Sequence, residues 1–186
     1  MNPLKFLPLV LSLSLCACQT APQQRDYTRQ IHDVSLSQKS YDGFQQTFEA
    51  TVTPMNREIT RLVLGKKGEV LGWTPQRLEK EVNEAQEKML THSLFFLRFY
   101  APNSDYNDLH KPNSIWKIYL ILGNQRFEGE VKKDFSKLAQ LQSLYPYFDR
   151  FSTGYEITFP VGQSALENQH YEILLTSSLG QAQFQF

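Results

Sequence analysis

The chain has 186 residues, and its 19 Lys and Arg balance its 19 Asp and Glu to a formal net charge of zero. That length favours one domain with room for a small appendage. A content of 41% hydrophobic and 13% aromatic residues excludes a disordered chain and is too low for a polytopic membrane protein. Zero net charge without a basic block argues against a nucleic-acid binder, whose affinity rests on neutralising phosphates. Two Cys cannot build a disulfide scaffold or a Cys₄ zinc site.

The chain opens on Met1-Asn-Pro-Leu-Lys5, with one positive charge, and continues into the apolar run FLPLVLSLSL over residues 6–15. Ten helical residues span about 15 Å, half of a roughly 30 Å hydrocarbon core, so the run is too short for a transmembrane anchor. A positive start, a short apolar run and small residues after it form a secretory signal peptide. Both cysteines stand at its end, in Leu15-Cys16-Ala17-Cys18.

This ending resembles the lipobox of bacterial lipoproteins, with a Leu three residues before the modified Cys and small residues between. The resemblance covers the first twenty residues and implies cleavage before Cys18, a diacylglyceryl group on its thiol and acylation of the new amino group. Cys16 fits the modified position poorly, because bulky Leu15 would then occupy the last small position. Ordinary secretion with a cut after Ala17 is the alternative, and a Leu three residues before the cut disfavours it. Gln19 rather than Asp follows Cys18, and the absence of an inner-membrane retention signal implies the inner leaflet of the outer membrane, facing the periplasm. Removal of residues 1–17 leaves 169 residues with 18 cationic and 19 anionic side chains. That balance excludes an electrostatic hold on DNA or anionic lipid.

Residues 18–40 are predicted to be the lipidated Cys18 and a polar tether, with a weak helical or irregular segment from Tyr27 and with Ile31, Val34 and Leu36 able to dock on the body. Residues 44–53 (FQQTFEATVT) alternate apolar and polar up to Pro54, the pattern of a half-buried strand. Ile59, Leu62 and Val63 have helical spacing, ahead of a predicted turn at Gly65-Lys-Lys-Gly68. Thr74-Pro75 is a helix start. The stripe Leu78, Val82, Ala85 and Met89 carries that helix over residues 75–90, with Glu84 and Lys88 spaced to pair.

After this helix the period changes. Residues 93–100 (SLFFLRFY) are dense enough for a central strand. Residues 115–122 form another, followed by Gly123-Asn124 and a polar strand over 125–132, a hairpin signal. Leu138, Leu141 and Leu144 suggest a helical turn before Tyr145-Pro146. Residues 154–160, 170–177 and 180–186 read as strands, the last two a hairpin. The fold class that follows is mainly β, α+β by content: an antiparallel β-sandwich, immunoglobulin- or transthyretin-like, over residues 41–186. A helical insertion at about 56–91 follows its first strand.

Few constellations point to chemistry. His32, His92, His110 and His170 stand far apart in the chain, and Asp105, Asn107 and Asp108 lack the Gly and distal Glu of a calcium loop. Gly162-Gln-Ser164 is not a nucleophile elbow, and Gly65–Gly68 is not a phosphate loop. Glu128 with Glu130, expected on one strand face, and Glu81 with Glu84 read as solvated charges. No catalytic residue, metal ligand or cofactor is assigned, and the only assigned site is lipid attachment at Cys18. Phe95, Phe96, Phe99, Tyr100 and Tyr106 read mainly as core. So do Tyr145, Tyr147, Phe148, Phe151, Tyr155 and Phe159, although an exposed Tyr-rich stretch at 145–155 would bind a protein or glycan. The terminal Phe186 resembles the last strand of an outer-membrane β-barrel, which the helix and the short strands oppose. The expected protein is a lipid-anchored envelope component that binds an envelope protein as an assembly accessory or structural element, without nucleic acid. An envelope hydrolase and a small-ligand carrier are the alternatives.

Overall fold

A computed structural model describes residues 22–186; the expected signal peptide, its lipobox-like ending and Cys18 lie outside the described residues. The expected tether is instead structured from residue 22, as helix α1 (Pro22–Val34) and strand β1 (Leu36–Asp42). Tyr27 and Ile31, four apart on one helix face, are buried, and the Tyr27 hydroxyl donates to the Leu144 carbonyl at 2.6 Å. Two apolar anchors suffice to dock an otherwise polar helix when the surface beneath it is already apolar. Strand β1 is polar and held chiefly by its backbone, which pairs along β2 (Gln45–Pro54) from Leu36↔Val52 to Asp42↔Gln45, with Leu36 packed on the core and the Ser37 hydroxyl 2.8 Å from that of Thr51.

Helix α2 (Arg57–Leu71) starts on the Asn56 side chain, which accepts from the Ile59 amide, and runs straight through Gly65-Lys-Lys-Gly68. The expected turn there is a helix because Gly68 is buried against α3 (Pro75–Met89): a Cβ at Gly68 would stand 3.5 Å from the Trp73 ring and 3.8 Å from Leu78. The turn falls at Gly72, whose φ of 64° is the left-handed conformation that ends helices. Helix α3 begins as its sequence predicts, with the Thr74 hydroxyl accepting from the Arg77 amide. The helical insertion therefore follows the second strand, not the first.

Strand β3 (Ser93–Tyr100) is followed by β4 (Lys117–Leu122), β5 (Gln125–Glu128), β6 (Glu130–Lys133), helix α4 (Leu138–Leu144), β7 (Thr153–Phe159), β8 (Tyr171–Ser177) and β9 (Gly180–Gln185). They form two antiparallel sheets, ordered β1-β2-β3-β7-β6 and β5-β4-β8-β9. The single strand expected over 125–132 splits at Gly129, where the chain passes from one sheet to the other. A Cβ at Gly129 would lie 2.8 Å from the Phe159 ring and 3.0 Å from Ile118 and Ile157, so only glycine fits the crossing.

Strand β3 is central and buried on both faces. Phe95, Leu97 and Phe99 point between the sheets, where Phe48, Trp116, Ile118, Leu120, Ile157, Ile173 and Phe184 fill the sandwich. Phe96 points the other way, into a second core with Tyr27, Ile31, Ile59, Val63, Leu141, Leu144, Tyr145 and Phe148. Its ring stacks on Tyr145 at 3.5 Å between centroids. The architecture is thus helices on a sheet on a sheet, and the outer face of the four-stranded sheet is uncovered.

Candidate functional site

Strand register brings four turns to one end of the sandwich. Asp42 pairs with Gln45, Phe99 with Thr153, and Lys133 with Tyr155. The β1–β2 turn, the end of β3, the end of β6 and the start of β7 therefore lie together. Trp116 joins them just before β4, packing edge-on against Phe48 and Phe99 at 4.9 and 4.8 Å. The last turn of α2 also reaches this end, where Lys67, Val70 and Leu71 line a crevice with Ser136, Gln140 and Leu144.

Nine large hydrophobic side chains among the described residues are exposed. All but Leu90 belong to this end: Tyr41 at the end of β1 and Phe44 in the turn after it, Val70 and Leu71 on α2, Ile115 before Trp116, Phe135 ahead of α4 and Leu138 at its start, and Phe151 before β7. Phe44 is fully exposed, Phe135 is 83% exposed and Phe151 63%. Cations stand beside them. Lys133 Nζ lies 5.8 Å from the Phe135 ring, the Arg150 guanidinium 4.7 Å from Phe151, and the Arg77 guanidinium 4.8 Å from Trp73. Each contributes modestly at an exposed site. Together they make a surface apolar at its tips with charges of both signs around them, since Asp42, Asp134 and Asp149 stand within two residues of the same three rings.

A buried charge cluster holds this surface in shape. Arg98, near the end of β3, is almost fully buried and bridges Glu49 of β2 at 2.6 Å and Asp149 of the loop before β7. Asp149 also accepts from the Phe151 amide at 2.8 Å and the Ser152 hydroxyl at 3.0 Å, which fixes the turn that presents Phe151. Burial alone would push both carboxyls up, but hydrogen bonds and charge from Arg98 outweigh it and hold Glu49 and Asp149 below the usual carboxylate range. For Arg98, burial favours the neutral form and the two carboxylates override it, so its pKa is raised.

The other residues singled out by sequence do not converge. The four His occupy separate places: His32 on α1, His92 just before β3, His110 in the β3–β4 connection and His170 just before β8. Among the described residues no group of three or more His, Cys, Asp or Glu is placed to hold a metal ion. The Asp- and Asn-rich loop binds itself: Asn103 caps the Asp105 amide, Asn107 bonds Ala101 through both amide atoms, and the Ser114 hydroxyl donates to Asp108. Glu128 and Glu130 do not share a strand face but lie in different sheets, paired with Lys117 at 2.7 Å and Lys132 at 3.0 Å. Glu84 pairs with Lys80 rather than Lys88, whose Nζ donates to Thr158 across to β7. Of the Tyr-rich stretch, Tyr145 and Tyr155 are buried, Tyr147 is partly so, and Phe151 is the exposed member.

Sequence reasoning passed over Phe44 and Phe135 as features. Their signal was local: Phe44 directly follows Asp42-Gly43, and Phe135 follows Lys132-Lys-Asp134, so each sits in turn chemistry where a core residue is out of place. Among the described residues no helix is long and apolar enough to cross a membrane. Comparison of the chain with family models, with curated proteins and with solved structures gives no match in any of the three.

Proposed function

We propose that the protein is a lipid-anchored component of the bacterial envelope, held through Cys18 in the inner leaflet of the outer membrane. It faces the periplasm and works by binding, as an assembly accessory or structural element for an envelope protein. The observation that carries this reading is the Leu15-Cys16-Ala17-Cys18 ending of a short signal peptide. Two or more acyl chains hold a protein stably at a bilayer where one does not. A binding role is supported by the exposed aromatic loop end, because exposed apolar side chains gathered at one end of a folded domain mark contact with another body.

The anchor is tested by palmitate labelling and membrane fractionation of the full chain and its Cys18→Ser variant. The expected result is label and outer-membrane recovery for the first and neither for the second; persistent label would refute attachment at Cys18. The accessory role is tested by amine cross-linking in intact cells. A discrete adduct of higher mass is expected, and monomer alone across cross-linker lengths would count against it.

A further inference from the structure

The direction of α1 decides how the body sits on the membrane. At its C-terminal side, the Ser35 hydroxyl lies 2.7 Å from that of Thr53, near the end of β2 from which α2 departs. Two turns earlier, Tyr27 lies under Lys66 of α2, whose Nζ is 5.9 Å from the ring. From Arg57 to Lys66 helix α2 rises about 13 Å toward the loop end, and α1 follows the same direction with its chain reversed. Pro22 precedes Tyr27 by five residues, as Leu71 follows Lys66 by five. The start of α1 is therefore level with Val70 and Leu71, at the loop end.

Cys18 stands four residues before Pro22, a reach of at most about 14 Å even when fully extended. Helix α2 alone, at 15 residues, is longer, at about 22 Å. An anchor on so short a lead holds the near end of the body against the lipid and keeps the far end, with Leu90, away from it. The near end is also the one carrying Phe44, Phe135 and Phe151 beside Lys133 and Arg150. Aromatic rings at a headgroup boundary, with long cations reaching back to the phosphates, are the composition of an interfacial surface.

We infer that the loop end of the sandwich is a second membrane contact, in which Phe44, Phe135 and Phe151 enter the headgroup region of the bilayer that the lipid on Cys18 selects. The inference rests on that anchor and deepens it: the lipid supplies attachment, and the rings set orientation. The hold is apolar rather than electrostatic, in keeping with a mature chain of 18 cations and 19 anions.

The test uses the full mature chain on vesicles of phosphatidylethanolamine with a minority of phosphatidylglycerol, doped with a diazirine-bearing phospholipid. After illumination, lipid adducts are mapped by mass spectrometry, which also reads the mass of the N-terminal peptide. Adducts in the peptides of Phe44, Phe135 and Phe151 are expected to exceed those in the Leu90 peptide by about tenfold, at low and high salt alike. The variant Phe44→Ser/Phe135→Ser/Phe151→Ser is expected to lose most of this labelling with the N-terminal mass unchanged. Equal labelling of the two ends, or labelling of the loop end no higher than that of the Leu90 peptide, would overturn the inference. A second arm couples the unacylated chain through the Cys18 thiol to a maleimide phospholipid. A native N-terminal mass without diacylglycerol would refute the anchor on its own, while the second arm would still report whether the loop end faces lipid.

Discussion

The two ends of the sandwich use the same kinds of residue and treat them in opposite ways. At the far end, Phe95, Tyr171 and Phe186 pack on one another, with Tyr171 and Phe186 stacked at 5.2 Å and Phe95 edge-on to Tyr171 and tilted against Phe186. At the loop end, Phe44, Phe135 and Phe151 face outward. The difference lies in the backbone beneath. The far-end rings stand on or beside paired strand residues, where alternation points them inward. The loop-end rings stand in turns between elements, where no partner strand imposes a face. Aromatic content alone thus says little about function, and the placement of a ring on a turn says much more.

This contrast can be broken experimentally. Phe95→Ala, which empties a buried site at the far end, is expected to cost about 3–5 kcal/mol in urea unfolding. A cost near zero would mean that this end is loosely packed. Arg98→Met is expected to cost about 1–3 kcal/mol, because it strips Glu49 and Asp149 of their cation while both can still reach water.

The same cluster sets an acid limit. Glu49 and Asp149 have lowered folded-state values, so their contribution is fully present above the ordinary carboxylate range and is lost as pH falls through their folded values. Stability measured by denaturant titration is expected to decline below about pH 4, and Arg98→Met to decline less steeply over that window. Parallel curves for the two proteins would exclude the cluster as the cause. The smallest effect is expected for Phe44→Ser and Phe151→Ser, each within about 0.5 kcal/mol of the parent by the same unfolding measurement, as for exposed positions generally. A larger loss would show that these rings pack in the folded state.

Much of the scaffold was legible where pattern and packing agree. Residues 93–100 form β3 with the predicted bounds, Thr74-Pro75 starts α3, and Gly123-Asn124 joins β4 to β5. What was not legible depended on partners distant in sequence. The docking of Ile31, Val34 and Leu36 was legible, but the full extent of α1 and the strand β1 that follows it were not, because their residues are mostly polar. Gly68 and Gly129 look like turn residues until the neighbours that crowd them are known. The candidate surface shares this difficulty, since it exists only after register gathers four turns from across the chain. The lipid attachment proposed at Cys18, by contrast, rests on a linear motif and needs no such gathering.

The crossing at Gly129 joins the edge strands β5 and β6 of the two sheets into one continuous chain. On the opposite side β1 and β9 run beside each other, close enough that a Cβ at Gly180 would fall 2.5 Å from the Ser40 hydroxyl oxygen. On that flank the edges of the two sheets face each other without backbone pairing between β1 and β9. An open sheet edge invites strand-to-strand aggregation. A strand from another copy would find less room beside β1 and β9, which shield each other, than beside the edges of β5 and β6.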